Sequence, residues 1–146
     1  MSMRRIEWFV TVALVLALGT PAAAEGFCFQ EAGERYGVSP QLLWAIAKAE
    51  SDFNPKALNT NANGTVDVGV MQINSLWADR LGPTWGALGD PCTNVMTGAW
   101  VLSQCMRDYG YSWEAVGCYH SRTPERRDAY ANRIASILQA NRGGQP

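Results

Sequence analysis

Four cysteines constrain the fold of this chain more than any other feature of its sequence; they are Cys28, Cys92, Cys105 and Cys118. No two of them have the Cys-x-x-Cys spacing of a metal or redox motif, and the single histidine, His120, cannot complete a usual zinc set. An even number of cysteines in a small exported domain predicts disulfides instead. Their interpretation therefore depends on whether the chain leaves the cytoplasm.

The beginning of the chain has the pattern of a secretory signal peptide. Arg4 and Arg5 precede an apolar run at residues 9–18, and small residues follow as far as Ala24. The alternative is an uncleaved membrane anchor, but this apolar run is shorter than the roughly 18 to 20 residues that cross a bilayer. We therefore expect cleavage after Ala24.

Length and composition limit what remains. The chain has 146 residues, of which 47% are hydrophobic, and a formal net charge of −1. The length is that of one domain, and the hydrophobic share is too high for a disordered tail. The near-zero net charge gives no electrostatic reason to expect nucleic acid as a partner. We expect residues 1–24 to be a signal peptide and residues 25–146 to be one periplasmic or secreted domain.

The cysteine pairing follows from the local pattern. Cys105 lies on a predicted helix that should end near Gly110, and Cys118 lies on the next helix, after Ser112. A helical hairpin would bring these two cysteines into opposition, which leaves Cys28 to pair with Cys92. Each bridge would contribute about 3 kcal/mol in the chain-entropy model.

Most of the chain after the signal has helical periodicity, with one interruption. Residues 57–74 break it with turn-forming asparagines and with Val66, Val68 and Val70, which alternate as in a short strand. We expect a mainly α single domain with a small β or loop excursion. The predicted helices cover 28–36, 41–53, 75–81, 93–109 with Thr93 as its cap, a segment from Ser112, and 124–143, whose inward residues are Tyr130, Ile134, Ile137 and Leu138.

One acidic residue, Glu50, lies on the apolar side of its own helix, in line with Leu43, Ile46 and Phe53. Burial of a carboxyl raises its pKa, and a raised pKa lets a carboxyl act as a general acid near neutral pH. The alternative is a structural glutamate whose side chain reaches solvent.

Two segments near this glutamate match a known family. Residues 49–57 begin Ala-Glu-Ser, and residues 69–74 read Gly-Val-Met-Gln-Ile-Asn. They resemble the Glu-Ser and Gly-Leu-Met-Gln signatures of the soluble-type lytic transglycosylases. The resemblance extends over residues 27–138, and it implies a lysozyme-like α fold that cleaves the β-1,4 bond between N-acetylmuramic acid and N-acetylglucosamine in peptidoglycan.

A narrower resemblance concerns Cys28, the Asp-Pro-Cys at 90–92 and the Gly-Ala-Trp at 98–100. These are similar to the small members of the family that are associated with secretion systems, conjugation and pili. The implied partners are peptidoglycan strands and components of an envelope-spanning secretion or conjugation complex. No cofactor and no metal is implied.

The resemblance also implies roles for particular residues. Glu50 matches the catalytic acid and base, and the matching substrate-binding residues are Ser51, Gly69, Val70, Met71, Gln72 and Tyr119. From the residues alone, Met71 would more often be core, and Ser51 could bond its own helix end.

Tyr119 matches the tyrosine of the family's Ala-Tyr-Asn-Ala-Gly motif and is expected to hydrogen-bond near the acid and orient it. This chain reads Cys-Tyr-His-Ser-Arg at 118–122, so the residues after the tyrosine differ. His120 is then either a substrate contact or a surface histidine.

A second acid would distinguish hydrolysis by water from transglycosylation. Asp52 is rotated by about 200° from Glu50 on a helix and is a poor candidate. Asp67 is better placed, although a turn or strand-end role is favoured for it. A transglycosylase needs one acid only, because the 6-hydroxyl of the muramic acid attacks the cationic sugar in place of water.

Three other functions compete with this one. They are a lysozyme-type muramidase that uses water, a peptidoglycan-binding assembly protein without catalysis, and an exported cysteine peptidase that uses His120.

Overall fold

The computed structural model describes residues 26–143, so the predicted signal peptide lies outside the described residues. The α-helices are α1 Phe29–Tyr36, α2 Pro40–Ser51, α3 Ala78–Leu81, α4 Pro91–Tyr109, α5 Trp113–Cys118 and α6 Pro124–Gly143. The strands are β1 Leu58–Thr60, β2 Val66–Val68 and β3 Ile73–Asn74. Short 3-10 helices at Ser75–Trp77 and Gly82–Ala87 flank α3. The predicted class, a mainly α lysozyme-like domain with a small β excursion and two disulfides, is confirmed.

Helix α2 ends two residues earlier than predicted. Ser39 caps its first turn by accepting the Leu42 N–H at 3.4 Å. Asp52 and Phe53 have φ values of 51° and 63°, in the left-handed region, so the helix stops at Ser51. Glu50 therefore lies in the last turn of the helix, next to the point where the chain changes direction.

Helix α4 begins two residues earlier than predicted. Its cap is Asp90, whose Oδ1 accepts the Thr93 N–H at 2.7 Å, and Pro91 is its first residue. A proline tolerates this position because its missing N–H would have no helical partner. Thr93 is therefore the donor to the cap and is not the cap itself.

The β excursion is a three-stranded antiparallel sheet in the order β1-β2-β3. Asp67 is at the centre of β2, where it pairs with Asn59 on one side and Asn74 on the other. The prediction that Val70 continues the strand is wrong, because the chain turns at Gly69, which has a φ of 76°.

Both predicted disulfides are confirmed. Cys28–Cys92 joins the start of α1 to the start of α4, and Cys105–Cys118 joins α4 to α5. No cysteine of residues 26–143 is free, and the sequence has no cysteine outside that range. The cysteine peptidase hypothesis is therefore wrong, since no thiol is left to act as a nucleophile.

The core forms around α2, which packs against α1, α4 and α6. Leu43 and Ile46 of α2 and Ile134 of α6 are fully buried, and Tyr130 is buried beside them. Ile137 and Leu138 are partly buried against the same core, as the helical pattern predicts. Within residues 26–143 we find no helix with both the length and the apolar character to cross a membrane.

Candidate active site

A cleft of about 850 Å³ runs past the end of α2. Residues between 61 and 80, which include β2 and β3, line one part of it, and residues between 118 and 126, which join α5 to α6, line another. Glu50 lies in the wall of this cleft. The glutamate predicted from helical periodicity thus borders a cavity large enough for a ligand.

Residues from α6 hold the Glu50 carboxyl and the backbone next to it. The Tyr130 hydroxyl donates a hydrogen bond to Glu50 Oε1. The Arg133 guanidinium donates at 2.7 Å to the carbonyl of Ala49, which fixes the last turn of α2 against α6. The acid is therefore oriented by a helix that lies more than seventy residues further along the chain.

Burial raises the pKa of Glu50 above its ordinary value. The Tyr130 hydrogen bond and the positive charge of Arg133 act in the opposite direction, and the negative charge of Asp67 raises the pKa further. Burial is the largest of these effects, so the carboxyl holds its proton to a higher pH than an exposed glutamate does. A general acid needs this property.

Tyr130 is a site residue that sequence reasoning missed. The helical pattern placed it on the inward face of α6 but assigned it no role. Burial and the adjacent Glu50 charge raise its pKa well above the ordinary value, so it remains a donor. The available signal was a tyrosine on an otherwise aliphatic buried face, because a buried phenol needs a hydrogen-bond partner.

Tyr119 lines the same cleft but contacts a different group. Its hydroxyl donates at 2.7 Å to the carbonyl of Met71, and its ring stacks on that of Tyr130 with centroids 6.5 Å apart. Burial, followed by the charges of Glu50 and Asp67, raises its pKa well above the ordinary value. Tyr119 thus supports the 69–72 turn, while the direct hydrogen bond to the acid comes from Tyr130.

His120 stacks face to face on Tyr130, with centroids 5.0 Å apart and ring planes 6° from parallel. Partial burial lowers its pKa, and the positive charges of Arg126 and Arg133 lower it further, against a smaller opposite effect of Asp67. The imidazole is therefore neutral at neutral pH and lies in the cleft lining.

The 69–72 turn approaches α4 too closely for larger residues. A Cβ on Gly69 would lie 2.2 Å from Asn94 Nδ2, and a Cβ on Gly98 would lie 2.7 Å from the side chain of Met71. Val70 and Met71 are fully buried as a result. Their side chains pack in the core and do not line the cleft.

Ser51 and Gln72 secure the same turn. The Ser51 hydroxyl donates to the Val70 carbonyl at 2.7 Å, which ties the end of α2 to the turn. Gln72 Nε2 donates to the Gly69 carbonyl at 2.9 Å, and Gln72 Oε1 accepts from Asn59 Nδ2 at 2.5 Å. The Gln72 amide thus bonds to protein groups, although the residue also lines the cleft.

Three of the predicted site residues, Glu50, Gln72 and Tyr119, line the cleft together. Of the other four, Gly69, Val70 and Met71 form the turn, and Ser51 bonds to it. Sugar binding by the predicted substrate-binding residues stays a prediction, and the contacts described above are all with protein groups.

Asn94 is a second residue that sequence reasoning missed. It is fully buried on α4, where its Oδ1 accepts the Met71 N–H at 2.7 Å. Its Nδ2 donates to the carbonyls of Val68 at 2.9 Å and Leu88 at 3.0 Å. One amide therefore satisfies three backbone groups and attaches the β excursion to the helical core.

Asp67 extends into the same cleft from β2. Its Oδ1 accepts from Asn74 Nδ2 at 2.7 Å, and its Oδ2 accepts from Asn61 Nδ2 at 2.9 Å. Asp52, by contrast, forms an exposed pair with Lys48 on the other side of the helix end. Of the two acids considered beside Glu50, Asp67 is the one in the cleft.

Comparisons with known proteins agree with this geometry. The family model described as the transglycosylase SLT domain matches residues 27–136. Invasion protein IagB of Salmonella typhimurium is 38% identical over 138 residues, which cover 92% of this chain and 84% of the relative. Protein IpgF of Shigella flexneri is 38% identical over 117 residues, 77% of each chain, and the X polypeptide of Escherichia coli K12 is 32% identical over 151 residues, 94% of this chain and 88% of the relative. The chain therefore belongs to the transglycosylase SLT domain family.

Proposed function

We propose that the protein is a peptidoglycan lytic transglycosylase, which cleaves the β-1,4 bond between N-acetylmuramic acid and N-acetylglucosamine and forms 1,6-anhydromuramic acid ends. The observation that carries this proposal is the Glu50 carboxyl, which lies in a cleft wall where burial raises its pKa. Membership of the transglycosylase SLT domain family supports the same reaction.

In the first step, the Glu50 carboxylic acid gives its proton to the glycosidic oxygen. The bond from this oxygen to C1 of the muramic acid breaks, the N-acetylglucosamine unit leaves with a hydroxyl, and positive charge develops at C1. The N-acetyl group of the same muramic acid supports this charge. Tyr130 stabilises the Glu50 carboxylate that the proton leaves behind, because its hydroxyl donates to Oε1.

In the second step, the 6-hydroxyl of the muramic acid attacks C1 and closes the anhydro ring. The Glu50 carboxylate accepts the hydroxyl proton as a general base, which restores the acid. No water is consumed, and no second protein carboxylate is required.

We further propose that the protein acts in the periplasm or outside the cell, as a domain of residues 25–146 after loss of a signal peptide at 1–24. The two disulfides support this location, since such bonds persist in oxidising compartments. The name of the Salmonella relative, an invasion protein, is in line with local opening of the wall for a secretion, conjugation or pilus apparatus.

The experiment is mass analysis of glycan strands digested by the wild type and by Glu50→Gln. We expect anhydro ends from the wild type and a loss of roughly 10² to 10⁴-fold in rate for the variant, the range for a general acid. Glu34→Gln is the matched control, because Glu34 is exposed on α1, where it accepts a hydrogen bond from Gln30. Equal cleavage by Glu50→Gln and the wild type would refute the assignment of the acid.

The second candidate is a muramidase that uses water, and Asp67 is the observation that favours it. Two amide donors orient its carboxylate in the cleft that also contains Glu50. A hydrolase gives reducing ends in place of anhydro ends, and it would lose most of its activity in Asp67→Asn. A folded wild-type protein that binds strands and gives neither end would instead be a non-catalytic assembly protein.

A further inference from the structure

The charges around the cleft differ from those of the whole chain. The chain has 12 basic and 13 acidic residues. In the cleft lining, however, the exposed charged residues are all arginines, namely Arg80, Arg122 and Arg126. The two acids of the lining, Glu50 and Asp67, are only partly exposed and already accept hydrogen bonds from protein groups. The outer part of the cleft therefore attracts anions.

Two tryptophan rings hold Arg80 in place. Its guanidinium carbon lies 5.2 Å from the ring centroid of Trp77 and 5.2 Å from that of Trp100. The two indole rings themselves meet edge to face, at 5.3 Å and 76°. Cation–π contacts use the face of a guanidinium and leave the N–H groups at its edge available. No carboxylate of residues 26–143 forms a salt bridge with this group.

Arg122 and Arg126 differ in whether a carboxylate pairs with them. Arg122 donates to Asp108 at 2.6 Å, so a carboxylate already pairs with its charge. Arg126 has no such salt bridge in the part of the chain that the structure describes, and its positive charge reaches His120 inside the cleft. Two guanidinium groups, from α3 and α6, thus line one cavity without a salt bridge to any of residues 26–143.

We propose that Arg80 and Arg126 bind carboxylates of the stem peptides that hang from peptidoglycan strands, so that the protein takes peptide-bearing strands in preference to stripped ones. This inference rests on the proposed peptidoglycan substrate. A guanidinium pairs with a carboxylate through two parallel hydrogen bonds, which makes arginine the suitable residue.

The exposure of the two arginines decides between the carboxylates that the polymer offers. The lactyl carboxylate of muramic acid lies on the sugar itself, and in a peptide-bearing strand it is consumed as an amide. The stem peptide carries its free carboxylates several bonds away from the sugar. Because both arginines are exposed while Glu50 is only partly exposed, they suit the more distant groups.

The experiment measures binding without cleavage, in a Glu50→Gln background. One ligand is a set of glycan strands with stem peptides, and the other is the same set stripped by an amidase, which leaves the free lactyl carboxylate. Calorimetry gives the dissociation constant for each ligand at low and at high salt. The test variant carries both Arg80→Gln and Arg126→Gln. The control variant is Arg35→Gln, because Arg35 is also exposed and lies over a tyrosine ring but does not line the cleft.

We expect the background protein to bind peptide-bearing strands roughly tenfold more tightly than stripped strands, a preference that shrinks at high salt. In the double arginine variant the ratio should fall toward one, and in Arg35→Gln it should stay. Equal binding of both ligands by the background protein would overturn the proposal. An equal loss for both ligands in the double variant would also overturn it, because the arginines would then contact the sugar or the lactyl group.

The stem-peptide proposal and the proposed reaction can be refuted independently of each other. The absence of anhydro ends in a wild-type digest would refute the proposed transglycosylase activity, whereas the binding ratio is measured without any turnover. Conversely, anhydro ends with no binding preference would refute the stem-peptide site alone.

Discussion

Burial and hydrogen bonding act in opposite directions on the Glu50 carboxyl. Burial disfavours the carboxylate, while the Tyr130 hydroxyl and the Arg133 charge favour it. A residue that must first give a proton and then take one back benefits from both effects. The raised pKa preserves the acid, and the tyrosine stabilises the carboxylate that follows.

Tyr130→Phe tests this balance. Removing the hydroxyl removes an interaction that lowers the pKa of Glu50, so the pKa should rise further. The alkaline limb of the pH–rate profile, which reports loss of the acid proton, should move to higher pH, and the maximal rate should fall by roughly tenfold.

Tyr111→Phe is the control for that variant, because Tyr111 is exposed and its hydroxyl accepts the Ser39 N–H away from the cleft. Its profile should match the wild type. An alkaline limb that moves to lower pH in Tyr130→Phe would contradict the role assigned to the tyrosine.

Glu50→Gln should also change how stability depends on pH. A folded-state pKa above the unfolded value means that the carboxyl contributes to stability below the unfolded pKa, and that this contribution is lost as pH rises through the folded pKa. The variant cannot ionise and keeps an oxygen for the Tyr130 hydroxyl. Relative to the wild type, it should therefore gain stability from about pH 4.5 upward, by about 1.4 kcal/mol for each pKa unit.

Urea unfolding at a series of pH values measures this difference. The gain should level off once the pH exceeds the folded pKa of Glu50. A difference between the two proteins that stays constant with pH would show that the carboxyl is not buried.

At the scale of elements, the β excursion depends on one amide and one glycine. Asn94 of α4 bonds the Met71 N–H inside the 69–72 turn and the Val68 carbonyl just before it, and Gly69 leaves room for its Nδ2. The Gly-x-Met-Gln signature therefore has a packing role in this fold: it helps to hold the sheet, with its Asp67, in the cleft that Glu50 also lines.

Gly69→Ala should destabilise the protein by about 2 kcal/mol or more, because a Cβ would meet Asn94 Nδ2 at 2.2 Å in a residue with a φ of 76°. Gly64→Ala is the matched control, since Gly64 has a similar φ of 81° but nothing within 4 Å of the added Cβ. It should lose only about 1 kcal/mol. Chemical denaturation gives both values, and equal losses would show that close packing at Gly69 contributes nothing.

At the scale of the whole molecule, the two disulfides close loops of very different length. Cys28–Cys92 spans 64 residues, and Cys105–Cys118 spans 13. In the chain-entropy model a longer loop removes more freedom from the unfolded chain. The long bridge joins the start of α1 to the start of α4, while the short one secures the α4–α5 hairpin next to the cleft.

Replacing both cysteines of a bridge with serine should therefore be more costly for Cys28–Cys92, at about 4 kcal/mol, than for Cys105–Cys118, at about 3 kcal/mol. Thermal unfolding of the two double variants measures the order. The reverse order would mean that local packing around α5 outweighs loop entropy.

Features with a local cause could be predicted from the sequence. The helices follow from the spacing of apolar residues, and this spacing also places Glu50 on the apolar face of α2. The pairing of Cys105 with Cys118 follows from a helical hairpin, because the two cysteines are only 13 residues apart. The predictions for the end of α2 and the start of α4 are each wrong by two residues, because a helix boundary depends on the φ of a single residue or on a single cap. Asp52 with its positive φ and Asp90 with its hydrogen bond decided those ends.

The sequence by itself determined a helical, disulfide-bonded domain with one carboxyl on an apolar face, because periodicity and cysteine spacing act over a few turns of chain. Only the tertiary structure decided what surrounds that carboxyl. Tyr130 is 80 residues from Glu50, and Asn94 is 23 residues from the backbone of Met71. Contacts of this kind leave no periodic trace, since they depend on how α6 and α4 pack against α2 and the sheet after each element has formed.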